Sequence, residues 1–458
     1  MSVWLKLFGK KLPRKIVEGD NLINYWRDIY TGEPKWKTYT TQGLSGKKTN
    51  YRFLMNGGKM LCQELAGLVF AEPPTFGVDD DVRELLEKNR FNENGRVWLE
   101  YALALGSGVL KWLVKDGELV IDWVQAGDFI PVSYDSRGVY EADFLSTTVH
   151  DDKEFKVIEQ HRQESDGYRI SLEVYENIGN DDFRKVEPAR AGIEQSEWIV
   201  PTKMFEVWKT PVANSVSMGS PFGMSIFGTA VDTIQQLDMA GDYLTEEIIT
   251  SGRKIIIGHS MLQRHFPSSK NDKPSMAYYD KNEKVYVAFD DAEKESMQPT
   301  AINFDLRIDE ITQTINTLLA ILSKQSGCSD SFLSLDGKSM KTATEVISEN
   351  SKTFRMKKNI ENSLTYTILN FLDSLKIIGA ECGIKTTNME YYIDWDDSVI
   401  EDRNSRANYW NTRVQAGTGL LEDALIELDG LSEEEAVIKA KQIRDSRAVV
   451  DVGLWGDE

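Results

Sequence analysis

At 458 residues the chain exceeds one ordinary core and is sized for two or three domains. Its 41% hydrophobic and 28% charged content is that of a folded protein, which excludes a disordered or membrane-embedded class. A net charge of −20 argues against a protein that grips DNA tightly, since that takes clustered Lys and Arg, but not against one that DNA slides past. An acidic wall repels phosphates over a Debye length of about 8 Å.

No apolar run approaches the roughly 18 to 20 residues that cross a bilayer. The opening MSVWLKLFGKKLPRK has too short an apolar stretch and no small-residue cleavage pattern for a signal peptide, so an amphipathic or mobile arm is expected. Helical spacing over 50–72 predicts a buried helix closed by Pro73-Pro74, and a second helix is expected from Val82 to Gly106. Strands are expected at Val109 to Val114 and Leu119 to Val124, joined by a hairpin turn at Asp116-Gly117. Residues 139–210 read as short β segments in a meander.

From Pro221 the pattern changes. A long helix is expected over 225–250, with Ile226, Val231, Ile234, Leu237, Leu244 and Ile248 apolar, and Gly252 closing it. A small insertion with strand-like RKIIIG and KVYVAFD follows, then a second helix over 305–325, about 30 Å long at about 1.5 Å per residue. The Ser, Gly and Asp-rich loop 327–340 leads to a capping box at Thr342 to Glu345 and a long helix to about Lys376. A strand at 389–395, a helix through Val414 and a helix opened by a capping box at Ser432 to Glu435 complete the chain. Residues 390–458 hold 17 acidic and 7 basic residues. Half the chain's excess charge lies there, and the fold class expected is α+β.

Three scattered cysteines fit no metal spacing, and four histidines lie apart from them. Gly337-Lys338-Ser339 ends like a phosphate loop, but Phe332 stands where the earlier glycine must be. Asp394, Asp396, Asp397, Glu401 and Asp402 form the densest carboxylate group, which a hard cation would favour. Strand alternation separates Asp394 and Asp396 from Asp397, so a structural role is preferred. No acid, base and nucleophile set stands out, and the eleven tryptophans are expected in the core. Neither an enzyme nor a cofactor is expected. Arg253, Lys254, Arg264, Lys270 and Lys273 make 251–273 a basic segment, with Asp272 its only acid.

GSPFGMSIFGTAVDTIQQLDMAGDYL, KTATEVISENSKTFRMKKNIENSL, IDWDDSVIEDRNSR, VQAGTGLL and LSEEEA occur in this order, and together the chain resembles phage portal proteins of the Gp6-like type. That resemblance implies a dodecameric ring with an axial passage for double-stranded DNA, read without regard to sequence. It implies a mixed α/β wing at 1–224 and 341–399, stem helices at 225–250 and 305–326, a small β clip at 251–304 and a short helical crown at 400–458. Clip residues Arg264, His265, Lys270 and Lys273 would meet partners. A tunnel loop at 327–340, with Ser329, Asp330, Phe332, Leu333, Leu335, Lys338 and the following Lys341, would touch DNA. The implied partners are further copies of the chain, the terminase large subunit, a head-completion adaptor, and the major capsid and scaffolding proteins, with no membrane. The implied location is the capsid portal vertex of the virion, after assembly in the host cytoplasm. The competing reading is a metal-dependent phage nuclease using the carboxylates from Asp394 to Asp402.

Overall fold

The computed structural model describes residues 3–8, 11–43, 46–115, 117–179, 182–251, 254–257, 286–287, 300–302, 305–335, 349–395, 403–429, 431 and 435–444. The helices are α1 (Val3–Phe8), α2 (Arg14–Tyr30), α3 (Gly57–Val69), α4 (Asp80–Lys88), α5 (Phe91–Leu105), α6 (Val231–Thr250), α7 (Ile308–Gln325), α8 (Ser351–Asp373), α9 (Leu375–Ile378), α10 (Arg403–Gln415) and α11 (Leu421–Asp429). The strands begin with β1 (Thr38–Gly43), β2 (Gly46–Tyr51), β3 (Thr75–Gly77), β4 (Ser107–Lys115), β5 (Glu118–Gln125) and β6 (Phe129–Tyr134). They continue with β7 (Val139–His150), β8 (Lys153–Glu164), β9 (Gly167–Asn177), β10 (Phe183–Val186), β11 (Glu197–Val200) and β12 (Phe205–Lys209). The last are β13 (Lys254–Ile257), β14 (Tyr286–Val287), β15 (Thr300–Ile302) and β16 (Tyr392–Asp394).

The N-terminal arm is packed, not mobile. Trp4 on α1 is buried and its Nε1 donates to the Gly127 carbonyl at 2.8 Å. α2 buries Ile16, Ile23, Trp26 and Ile29, spaced to fall on one helical face. The helix expected over 50–72 starts only at Gly57, because Asn56 adopts a left-handed conformation (φ 55°) and Tyr51 still belongs to strand β2, with residues 52–56 in an irregular link between them. The single helix expected from Val82 is two, broken where Arg90 is also left-handed (φ 51°).

The β4–β5 hairpin forms in the expected place, and β12 pairs with β4 to give the order β12-β4-β5. The meander has longer strands than expected: β7, β8 and β9 run 12, 12 and 11 residues in the antiparallel order β10-β9-β8-β7-β6, with β11 also on β9. Lys111 ties the two sheets together from inside, pairing with Glu159 at 2.8 Å and with Asp122 at 3.3 Å. Burial disfavours the charge on Glu159, but Lys111 and a 2.6 Å contact with His161 prevail and hold its carboxyl down at about 2. α8 crosses this body, and Phe371 on it stacks on Trp112 with ring centroids 4.2 Å apart.

The core is aromatic. Trp98, Trp208, Phe129, Phe144 and Phe205 are buried and in ring contact with further aromatics. Such side chains dominate burial energy because each removes about 150–250 Å² from water. Of the eleven tryptophans expected in the core, eight are buried, namely Trp4, Trp26, Trp36, Trp98, Trp112, Trp208, Trp395 and Trp410, while Trp123 and Trp198 are half-buried and Trp455 lies outside the described residues.

Candidate functional site

Two antiparallel helices, α6 and α7, leave this body. Thr233 Oγ1 donates to Gln325 Oε1 at 2.8 Å at the end near the body, and Arg307 Nη2 donates to Glu247 Oε2 at 2.8 Å at the far end. The hydrogen bonds and charge of Arg307 hold the Glu247 carboxyl below its ordinary range. The helix expected from Ser225 begins at Val231. Residues 222–227 are instead sewn to the α5–β4 junction: Ile226 N donates to the Leu103 carbonyl at 2.9 Å, and Gly223 N to Ser107 Oγ at 2.8 Å. Gly106 (φ +87°) allows this crossing, since a Cβ there would lie 2.6 Å from the Gly223 carbonyl oxygen.

The near half of the pair is core. Ile234, Leu237 and Ala240 on α6 and Ile315, Leu319 and Leu322 on α7 are buried. In the far half apolar side chains face outward: Tyr243, Ile248 and Ile249 are each about 60% exposed, and Leu306 and Ile308 are exposed beside them. The sequence pattern counted Ile248 among the apolar positions of the helix rather than as an exposed residue, and it did not single out Tyr243 or Ile249. Between the far halves runs a groove of about 510 Å³. Tyr243 and Ile311 give it an apolar floor, and although Arg307 also lines it and pairs with Glu247, the further carboxylates of Glu246 and Glu310 leave it acidic.

The loop after α7 is packed at its start. Ser329 and Leu333, expected on a projecting loop, are instead inside the protomer. Ser329 N donates to Thr353 Oγ1 at 2.9 Å, and Thr353 N donates back to Ser329 Oγ at 3.3 Å, clamping the loop to α8. Leu333 joins the main core, and Phe332 is half-buried against it. Asp330 is exposed and pairs with Lys324 at 2.7 Å. Leu335 is exposed, with its backbone N–H donating to Asn316 Oδ1 at 3.2 Å. Lys338, Lys341, the Gly337-Lys338-Ser339 motif and the capping box at Thr342 lie outside the described residues.

In the insertion between α6 and α7, β13 pairs in parallel with β14 and antiparallel with β15. Arg264, His265, Lys270 and Lys273 lie outside the described residues. Of the carboxylate group, Asp394 is exposed on β16, which pairs with β3, while Asp396, Asp397, Glu401 and Asp402 lie outside. Among the described residues no group of His, Cys, Asp and Glu has the geometry to hold a metal ion, and no helix is long and apolar enough to cross a membrane.

Two solved structures resemble the chain in fold. One is from the neck of an empty gene transfer agent (GTA) particle computed with C6 symmetry, the other from the virion of a native GTA particle. Each is 12% identical, with a TM-score of 0.44, over 82% of this chain and 89% of that chain. No curated protein sequence matches the chain. The sequence model of the family described as phage portal protein, SPP1 Gp6-like, matches residues 16–448, nearly the whole length. The chain therefore belongs to the SPP1 Gp6-like family of phage portal proteins, structural components of the virion at the capsid's portal vertex.

Proposed function

We propose that copies of this chain close into a ring, dodecameric as the family resemblance implies, and that double-stranded DNA passes through its axis during packaging and ejection. The observation that carries this reading is the far half of the stem pair, where Tyr243, Ile248, Ile249, Leu306 and Ile308 are exposed on more than one face. A lone protomer gains nothing by leaving such a surface wet, and neighbours in a ring would cover it.

In this reading residues 1–224 and 341–399 form the wing toward the capsid and scaffolding proteins, and 400–458 the crown. The clip, 251–304, offers Arg264, His265, Lys270 and Lys273 to the terminase large subunit and the head-completion adaptor. Contact with DNA falls to the later part of the loop, Leu335, Lys338 and Lys341, because Ser329 and Leu333 are committed to the protomer's own core. Weak phosphate contacts repeated around a ring suffice to guide a sliding duplex, and the chain's net charge of −20 keeps them weak.

The test is a native mass measurement with cryo-electron microscopy of the purified chain. A closed ring with an open axis is expected. A strictly monomeric species at high concentration would sink the proposal.

A further inference from the structure

Strands β1 and β2 form a two-stranded ribbon, paired from Thr38 with Tyr51 to Gly43 with Gly46, that belongs to no larger sheet. Successive side chains of a strand point to opposite faces, and here both faces are open to solvent: Thr40, Thr41, Lys47, Lys48 and Thr49 are all exposed. An isolated ribbon of this kind is marginally stable in water, so its persistence calls for a covering surface.

Its chemistry is unlike that of the rest of the chain. From Lys35 to Arg52 there are five Lys and Arg residues and no Asp or Glu, in a protein of net charge −20. Lys47 and Lys48 make no ion pair among the described residues. Both ends of the ribbon are rooted on the stem. Trp36 Nε1 donates to Asp238 Oδ2 at 2.9 Å, Met55 N to Asp238 Oδ1 at 2.8 Å, and Phe53 N to Asp242 Oδ1 at 3.2 Å.

The acidic groove between α6 and α7 begins at that same height, at Ala240 and Tyr243. Its Glu246 and Glu310 are exposed and make no ion pair among the described residues. Rotation about a ring axis carries each subunit to the next without changing its height. The ribbon's roots at Asp238 and Asp242 therefore stand level with the start of the neighbour's groove. Six residues at about 3.3 Å each reach about 20 Å, beyond the roughly 8–10 Å that separates packed helices.

We infer that the β1–β2 ribbon of one protomer seats in the acidic groove between α6 and α7 of a second copy of this chain, with Lys47 and Lys48 opposite Glu246 and Glu310. The inference rests on the ring reading and names a contact that holds neighbouring subunits together. Opposite charges set the register of such a contact, and the Tyr243 and Ile311 floor receives the threonine methyl groups.

Isotopically light and heavy protomers, mixed, assembled and treated with a carbodiimide, test it. Mixed-isotope amide links between Lys47 or Lys48 and Glu246 or Glu310 are expected. Lys47→Glu with Lys48→Glu should raise the concentration needed for assembly by about tenfold, and adding Glu246→Lys with Glu310→Lys should restore it. Rings that form normally in the Lys-to-Glu variant and yield no mixed link in the wild type overturn the ribbon contact while leaving the ring intact. A wild-type chain that stays monomeric sinks both. If the Lys-to-Glu variant assembles normally but loses affinity for a short DNA duplex, the ribbon is a nucleic-acid contact and the inference falls.

Discussion

The aromatic body and the far half of the α6–α7 pair put apolar residues to opposite uses. In the body, Trp208 is fully buried with its ring 6.1 Å from Trp98, and Phe205 meets both Phe144 and His161 edge-on. In the far half of the pair, Ile248 and Ile249 face solvent on a helix whose other half is core. The burial that stabilises a protomer is therefore concentrated in the body, and the helix tips add little to it. In the ring proposed above, what the tips would supply is surface for association. The contrast predicts that damage to the body unfolds the protomer, whereas damage to the helix tips spares it and weakens assembly.

The largest effect is expected from Trp208→Ala, which empties the centre of the aromatic core and should cost about 4 kcal/mol of a total near 5–15 kcal/mol. Chemical denaturation measures it, and a loss below about 1 kcal/mol would break the comparison outright. Next comes the ion pair buried on α8, where Lys357 Nζ lies 2.7 Å from a Glu361 carboxylate that is fully enclosed. Glu361→Ala removes this partner from the buried Lys357 and should cost about 3 kcal/mol, while Lys357→Met with Glu361→Leu should recover most of that loss. A double variant as unstable as the single one would show that the pair is needed in itself.

A smaller effect concerns acid. The folded Glu159 carboxyl sits at about 2 against an ordinary 4.5, so its contribution is complete above pH 4.5 and is lost as pH falls through about 2. Glu159→Gln should therefore flatten the acid limb of the stability curve between those limits. An unchanged slope would mean that Lys111 and His161 do not favour the charged form. The smallest change in protomer stability, within about 0.5 kcal/mol, is expected for Ile248→Ser with Ile249→Ser. Sedimentation of the same variant should show impaired assembly. A normal ring would erase the distinction between the two regions.

Patterns that repeat locally were legible before the structure. The β4–β5 hairpin shows two short apolar runs rich in Val, Leu and Trp around Asp116-Gly117, and α7 shows Ile311, Ile315, Leu318 and Leu322 at helical steps, so both were found in place. Elements that depend on distant partners were not. That the N-terminal arm is packed shows only through the bond from Trp4 to the Gly127 carbonyl, 123 residues away. The ribbon lacks apolar alternation because neither of its faces is buried within the protomer, so no strand signal exists in TYTTQG or GKKTNY. The start of α6 was misplaced because Ile226 and Phe227 are apolar for a different reason: they plug the α5–β4 junction from a turn. The loop after α7 was misjudged similarly. Its Ser and Gly content suggested looseness, yet Ser329 exchanges hydrogen bonds with Thr353, and Gly327 (φ +79°) lets the chain double back to do so.

Asp238 has a mechanical consequence. One carboxylate on α6 accepts from Trp36 Nε1, from Met55 N and, at 3.3 Å, from Asn56 N, so the ribbon's roots and the first turn of α3 share a single bolt on the stem. The ribbon is thus an outrigger of α6. With a lever arm of about 20 Å, a tilt of α6 by about 5° sweeps the outrigger's tip through about 2 Å, half the spacing between neighbouring strands. In the ring proposed above, a lean of α6 would be transmitted sideways as that displacement, and Asp238→Asn, which weakens the bolt without emptying it, would let the helix lean and leave the outrigger behind.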